Sequence, residues 1–251
     1  MIKAVLQAIP TYTISVFKLP KKLCHEINML YSRFWWGKQQ EGKCIHWRKW
    51  EKLGEMKGKG GLGFRDLEIF NMALLAKQGW RFIKSPNSLA ARIFKDKYYK
   101  YSSFLDASLG SKPSLIWRSI WNARALVKEG IRWRVGDGSK IKIWGSKWLP
   151  SPSSFSIQSP VSVLQVDAKV EELIDKQKGE WNEERIRAIF IQNEADQILS
   201  IPLSRGFAQD KVIWGPSKKG EFTVSSAYFL QKEIFRMRDG ECSREVQMDE
   251  R

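Results

Sequence analysis

The sequence predicts an α+β protein that is mainly α-helical and carries two β-hairpins. Three observations predict it. Apolar residues recur at helical spacing through the first 130 residues, with capping residues opening some of the runs and Gly or Pro closing some. The stretch 131–148, IRWRVGDGSKIKIWGSKW, alternates apolar and basic residues on both sides of a Gly-Asp-Gly-Ser turn, which is the period and punctuation of a hairpin. A second pattern of that kind follows later: residues 211–214, a Gly-Pro-Ser-Lys-Lys-Gly turn, then 221–224.

Taken in order, Pro10 and Pro20 cut the first twenty residues into two short helical segments. The next helix places Leu23, Ile27, Leu30 and Phe34 on one face and stops at Gly37. Residues 38–63 read as an irregular basic connector, because Gly58, Gly60, Gly61 and Gly63 together are too costly for a helix. Asp66 can cap a helix running to Lys84, with Leu67, Phe70 and Leu74 on one stripe and Ala73, Ala76, Trp80 and Ile83 on a neighbouring one. Ser85-Pro86 ends it, and Asn87 can cap a helix whose apolar residues are Leu89, Ile93 and Phe94. A further helix runs from Ser114 to Gly130, and the hairpin at 131–144 follows.

In that hairpin Val135 would pair with Ile141 and Trp133 with Ile143. One face is then tryptophan and aliphatic, and the other carries Arg132, Arg134, Lys140 and Lys142. Like charges opposite each other are unfavourable, and a phosphate backbone is the usual polyanion that offsets them. The plainer reading is the solvated outer face of a half-buried hairpin. The Pro/Ser-rich stretch 151–163 reads as a linker. Beyond it come a short acidic helix at 170–178, one capped by Asn182, the second hairpin and a last helix capped by Ser225. The polar end, 231–251, reads as a frayed tail.

A length of 251 residues allows one large domain or two smaller ones, and 43% hydrophobic content with twelve tryptophans excludes wholesale disorder. The net charge of +16 is unevenly spread. Residues 1–150 hold 29 Lys and Arg against 10 Asp and Glu, and ten of the tryptophans. Basic side chains interleaved with aromatics suit a nucleic acid. Residues 164–230 read as a smaller, near-neutral to acidic α+β part. Three cysteines form no disulfide framework, which points to a reducing compartment, and no apolar run is long enough to span a bilayer. The first 22 residues lack acids, as an organelle presequence does, but they also lack arginine and contain Pro10 and Pro20.

Chemistry is sparse. A polymerase or nuclease metal site needs converging carboxylates, and no two aspartates are adjacent. Asp66, Asp96, Asp106 and Asp137 read as cap, helix surface and turn. Cys24-His25 and Cys44-x-His46 supply four potential zinc ligands at a poor spacing, so a small buried Cys24 is the better account. With only two histidines no Ser-His-Asp arrangement can be argued, and GKGGLG lacks the ending of a phosphate loop. We expect no catalytic residue, no metal and no cofactor.

A series of ordered motifs adds to this reading. IKAVLQAIPTYTISVFKLPKKLC, RFWWG, IHWRKWEKL, GGLGFRDLEIFNMALLAKQGWR, SSFLDASLGSKPSLIWRSI, RWRVGDGSKIKIW, WLP, GEWNEERIRAIF, ILSIPLS, DKVIW and GEFTVSSAYFL resemble plant LINE-type (non-LTR) retrotransposon reverse transcriptases, over residues 1 to about 230. The matching part of that family lies downstream of the polymerase palm. The resemblance implies a thumb- and connection-like basic domain at 1–150. It also implies a segment at 164–230 opening into a zinc-binding-like and ribonuclease H region. The palm's aspartate pair is absent, and Cys242 alone does not replace the zinc-binding cluster.

The implied function is that of a non-catalytic fragment, not an enzyme by itself, which binds RNA or an RNA–DNA duplex through its backbone. Arg132, Arg134, Lys140 and Lys142 would be the main phosphate contacts, with Lys57 and Lys59 secondary. Trp35, Trp36, Trp133 and Trp144 are expected in the core rather than stacked on bases. Two alternatives stand beside this: part of an active reverse transcriptase and ribonuclease H polyprotein, or a non-functional retroelement remnant. The family implies an intracellular location, the nucleus ahead of the mitochondrion.

Overall fold

The computed structural model describes residues 6, 8, 10–37, 47, 48, 50–55, 58, 60–150, 154–161, 163–203 and 208–249. Among them the chain forms helices α1 (Thr11–Ile14), α2 (Lys21–Trp36), α3 (Trp50–Leu53), α4 (Leu67–Lys84), α5 (Leu89–Tyr98), α6 (Leu115–Asn122) and α7 (Arg124–Gly130). There follow strands β1 (Ile131–Arg134), β2 (Ile174–Asp175) and β3 (Glu180–Trp181), helices α8 (Glu183–Ile189) and α9 (Gln192–Leu199), strand β4 (Lys211–Trp214) and helix α10 (Val224–Asp249). The protein is thus α+β and mainly helical, with two small two-stranded antiparallel sheets. It divides into two compact units, one of residues 1–129 and 222–251, the other of 130–221. The division falls at Gly130 and Phe222 rather than in the Pro/Ser stretch at 151–163.

The first unit is helical. α4 runs through its middle, packed by α1, α2, α5, α6 and α10. The Asp66 carboxylate accepts the Ile69 N–H at 2.9 Å and starts the helix as expected, and Asp66's own N–H donates to the Tyr228 hydroxyl of α10. Both stripes of α4 face inward, with Leu67, Phe70, Leu74, Ala73, Ala76 and Trp80 all buried. Ser114 caps α6 through the Trp117 N–H, but the helix breaks at Ala123 and resumes as α7. Trp117 is fully buried in an aromatic cluster, stacked on Tyr98 at 4.7 Å and on Tyr99 at 5.6 Å. Ser88, not Asn87, caps α5. Of its apolar residues, that helix buries Ala91, packs Phe94 on the aromatic cluster and leaves Leu89 and Ile93 exposed. In α10, Thr223 takes the capping role expected of Ser225, since its hydroxyl accepts the Ser226 N–H. The helix then continues through the stretch expected to fray.

The helix α2 corrects the expected stripe by one position. Cys24 and Tyr31 are buried, while Leu23, Leu30 and Phe34 are exposed, Leu30 to 59%. The turn of the helix is set by polar as well as apolar contacts, because the Tyr31 hydroxyl donates to the Leu6 carbonyl at 2.8 Å.

Gly79 sits in mid-α4, where a glycine costs about 1 kcal/mol relative to alanine. A Cβ there would lie 2.7 Å from Cζ of the buried Phe104 ring. Gly79→Ala is therefore expected to lower stability by about 1–2 kcal/mol despite its better helix propensity, because overpacking a rigid core outweighs the gain. Urea unfolding followed by circular dichroism checks it.

The second unit contains both sheets. β1 pairs antiparallel with β4, with Ile131 opposite Trp214, Arg132 opposite Ile213, Trp133 opposite Val212 and Arg134 opposite Lys211. Neither expected hairpin forms: the first strands of the two pair with each other. A real hairpin, β2–β3, occupies part of the region expected as an acidic helix, whose start at 170–173 is a short 3-10 turn. The core gathers Val135, Ile141, Ile143, Trp148, Val170, Leu173, Ile186 and Ile198, with Trp133 and Trp144 packed against it. Asn182 caps α8 as expected. The described part of the Pro/Ser stretch is built into this unit instead of linking two domains. The buried Glu194 carboxylate accepts the Gln158 and Ser159 N–H groups and the Ser159 hydroxyl, and Ile157 is buried.

Candidate nucleic-acid interface

The loop after β1 decides the geometry of the basic residues. Its sequence, Gly136-Asp137-Gly138-Ser139-Lys140, reads locally as a hairpin turn. In the fold it wraps the carboxylate of Asp210, which is 7% exposed. Asp210 accepts the N–H of Gly136 at 2.7 Å, of Gly138 at 3.0 Å and of Lys140 at 2.8 Å. Both glycines are required for the close approach. A Cβ on Gly136 would lie 1.9 Å from the Ala208 carbonyl oxygen, and one on Gly138, whose φ is +74°, would lie 2.4 Å from the Glu171 nitrogen. The loop is thereby drawn away from the hairpin path. Residues 141–143 pair instead with 168–170, through Ile143 N–H to Ala168 O and Val170 N–H to Ile141 O, both at 3.0 Å. Since Asp210 directly precedes Lys211, the same carboxylate also places β4 against β1.

Arg132 and Arg134 then stand on one face of the β1–β4 sheet with Lys211 and Ile213. Arg134 and Lys211 are exposed, sit opposite each other in register, and have no carboxylate partner among the described residues. Other basic residues of this unit do: Lys176 with Glu171, Arg185 with Glu172, and Arg187 with Glu183 and Asp196. Arg132 is held more tightly. Its Nη1 donates to the Ile131 carbonyl, and its guanidinium lies 3.7 Å from the centre of the Phe155 ring.

These side chains border a groove of about 720 Å³ within the unit. Arg132, Arg134 and Lys211 line it together with Gln209 and the apolar residues Val135, Leu149, Phe155 and Leu203, and no carboxylate lines it among the described residues. Phe155 itself is unusual. At φ +60° it is the one non-glycine residue in the left-handed region among the described residues, and its carbonyl accepts the N–H of both Trp148 and Leu149.

Of the residues expected to contact phosphate, the fold brings Arg132 and Arg134 to this groove. The exposed Lys140 reaches it indirectly, since its ammonium donates to Gln209 at 3.2 Å. Lys142 is exposed but separate, bridged opposite Lys169. Lys57 and Lys59 lie outside the described residues. Lys211, Asp210 and Phe155 were missed; only the alternation in Lys-Val-Ile-Trp hinted at the first. Trp133 and Trp144 pack on the core as expected, and the Trp144 indole donates to the Ser159 carbonyl. In the first unit Trp36 packs on the small Leu53–Phe64 cluster, whereas Trp35 is 44% exposed and meets Phe64 edge-on.

No group of three or more His, Cys, Asp or Glu able to hold a metal occurs among the described residues. Cys24 is buried, and burial first, then the charges of Glu68 and Asp66, push its thiol up to about 11, so it stays protonated at neutral pH. Asp137 is held below the usual carboxylate range, chiefly by the Ser139 N–H it accepts, which is turn chemistry. No described helix is long and apolar enough to cross a membrane.

Two curated proteins of Arabidopsis thaliana are similar to this chain. "Uncharacterized mitochondrial protein AtMg00310" is 41% identical over 143 residues, which cover 57% of this chain and 93% of that protein. "Putative ribonuclease H protein At1g65750" is 29% identical over 232 residues, covering 90% of this chain and 37% of that protein. No protein-family model and no solved structure matches the chain.

Proposed function

The chain belongs to the family of the Arabidopsis mitochondrial protein AtMg00310, and from that premise we propose that it is a retroelement-derived, non-catalytic nucleic-acid-binding protein. Its relation to a longer protein named for ribonuclease H supports a nucleic-acid partner in general. The ordered motifs support a LINE-type reverse-transcriptase origin, downstream of the palm. RNA or an RNA–DNA duplex is the ligand, gripped by its backbone.

The observation that carries this reading is the pair Arg134 and Lys211. Two like charges fixed opposite each other, with no carboxylate partner among the described residues, disfavour the free sheet. A phosphate between them reverses the sign of that interaction. Arg132 and Lys140 extend the same basic surface, and Lys142 forms a second point of contact.

Fluorescence anisotropy of a labelled RNA–DNA hybrid tests it. The logarithm of the dissociation constant is expected to rise linearly with the logarithm of salt, with a slope of roughly 0.9 for each phosphate contact. Affinity that does not change between low and physiological salt sinks the reading. A second reading is that the chain is a segment of an active reverse transcriptase and ribonuclease H polyprotein. It is favoured by the 37% share of the longer relative that the chain spans. Expression of the gene's full transcript, assayed for polymerase and ribonuclease H activity, separates the two. The compartment we propose is the mitochondrion or the nucleus; localisation of a tagged chain decides it.

A further inference from the structure

We propose that the groove beside the β1–β4 sheet holds one unpaired nucleotide of a single strand, base inside and phosphate at its rim, so that the protein prefers single-stranded RNA to duplex. This rests on the nucleic-acid reading above and makes it more specific. Backbone gripping needs only charge, and a flat or convex basic surface supplies it. This site is a recess, with a volume of about 720 Å³, inside the range of roughly 300–1,000 Å³ typical of small-ligand pockets. Its walls are mostly apolar, from Val135, Leu149, Phe155 and Leu203, while its cations Arg134 and Lys211 are exposed side by side. A duplex keeps its base faces inside its own stack and offers such a recess nothing but charge. An unpaired base offers a flat apolar face next to a phosphate, which matches this division of wall and rim.

Two further features show that the recess is built. The Cζ of Arg132 lies over the Phe155 ring, 3.7 Å from its centre, and the stem passes so close to Gly215 that a Cβ there would lie 2.5 Å from Arg132 Cγ. A guanidinium held in this way is a ready stacking platform that loses little freedom on binding. Phe155 takes up the left-handed backbone that places its ring there, at a cost of order 1–3 kcal/mol, and two N–H groups on its carbonyl hold it. Strain of that kind at a groove wall is a recurrent mark of a ligand site.

The test compares three labelled ligands of equal charge at one salt concentration: an unstructured oligouridine, an abasic sugar-phosphate strand of the same length, and an RNA–DNA hybrid. The intact protein is expected to bind oligouridine about tenfold more tightly than the abasic strand, the scale of one base stacked on protein. Phe155→Gly removes the ring while suiting the backbone, and is expected to bring the two affinities within about twofold without weakening the abasic strand. Leu203→Trp, which puts a larger side chain on the wall of the recess, is expected to do the same and stands in if the glycine variant does not fold. Equal binding of all three ligands by the wild type, still steep in salt, overturns this inference and leaves the backbone reading intact. Failure to bind any of them overturns both.

Discussion

Asp210→Ala is expected to lower the stability of the second unit by roughly 3–5 kcal/mol and to abolish the groove. The carboxylate accepts three backbone N–H groups from the 136–140 loop and is almost fully buried. Removing it leaves those donors without an acceptor, at about 1–3 kcal/mol each, partly relieved where water can enter. Asp210→Asn is expected to cost less, roughly 2 kcal/mol. One amide oxygen can still serve Gly136 and Gly138, while the new NH₂ faces the Lys140 N–H. Urea unfolding followed by tryptophan fluorescence measures both, since Trp133, Trp144, Trp148 and Trp181 belong to this unit's core. Equal costs for the two variants would mean that the three hydrogen bonds are not what holds the loop.

Arg134→Glu is expected to weaken nucleic-acid binding and to strengthen the fold in the same molecule. The new carboxylate stands opposite Lys211, replacing a repulsive cross-strand pair with an attractive one worth roughly 0.2–1 kcal/mol. Binding loses one phosphate contact outright and a second because Lys211 is neutralised. The salt slope is then expected to fall by about 2 and the affinity at low salt by roughly a hundredfold. Opposite signs for stability and binding are the useful signature. A residue that merely decorates the surface moves neither, and one that supports the fold moves both the same way. Anisotropy over a salt series and urea unfolding on the same preparation supply the two readings.

The fold class was legible because helix ends are local. The side-chain oxygens of Asp66, Ser114 and Asn182 each accept the N–H three residues on, and Gly37 ends α2 in a positive-φ conformation at +76°. The strand pairing was not legible, for the opposite reason. Alternation and a Gly-Asp-Gly-Ser turn are the same whether 131–134 pairs with 141–144 or with a strand far away. The deciding group, Asp210, lies 74 residues from Gly136. Register on α2 failed by one position because Tyr31, outside the expected stripe of Leu23, Ile27, Leu30 and Phe34, is anchored through its hydroxyl. In the candidate site, the basic residues of β1 could be named in advance. Their partner Lys211 and the ring of Phe155 could not, because only the folded chain brings them together.

The separation between Gly136 and Asp210 also sets an order of events during synthesis. At about 5–20 residues per second, several seconds elapse between the appearance of β1 and that of the strand that covers it. Throughout that interval β1 lacks the strand it pairs with along 131–134, and an unpaired edge is the kind of surface that joins other chains. The carboxylate that completes the loop arrives in the same short stretch as the missing strand, so both defects are closed at once. A nascent chain halted before residue 210 has neither, and its hazard is sticking to its neighbours rather than loss of a ligand.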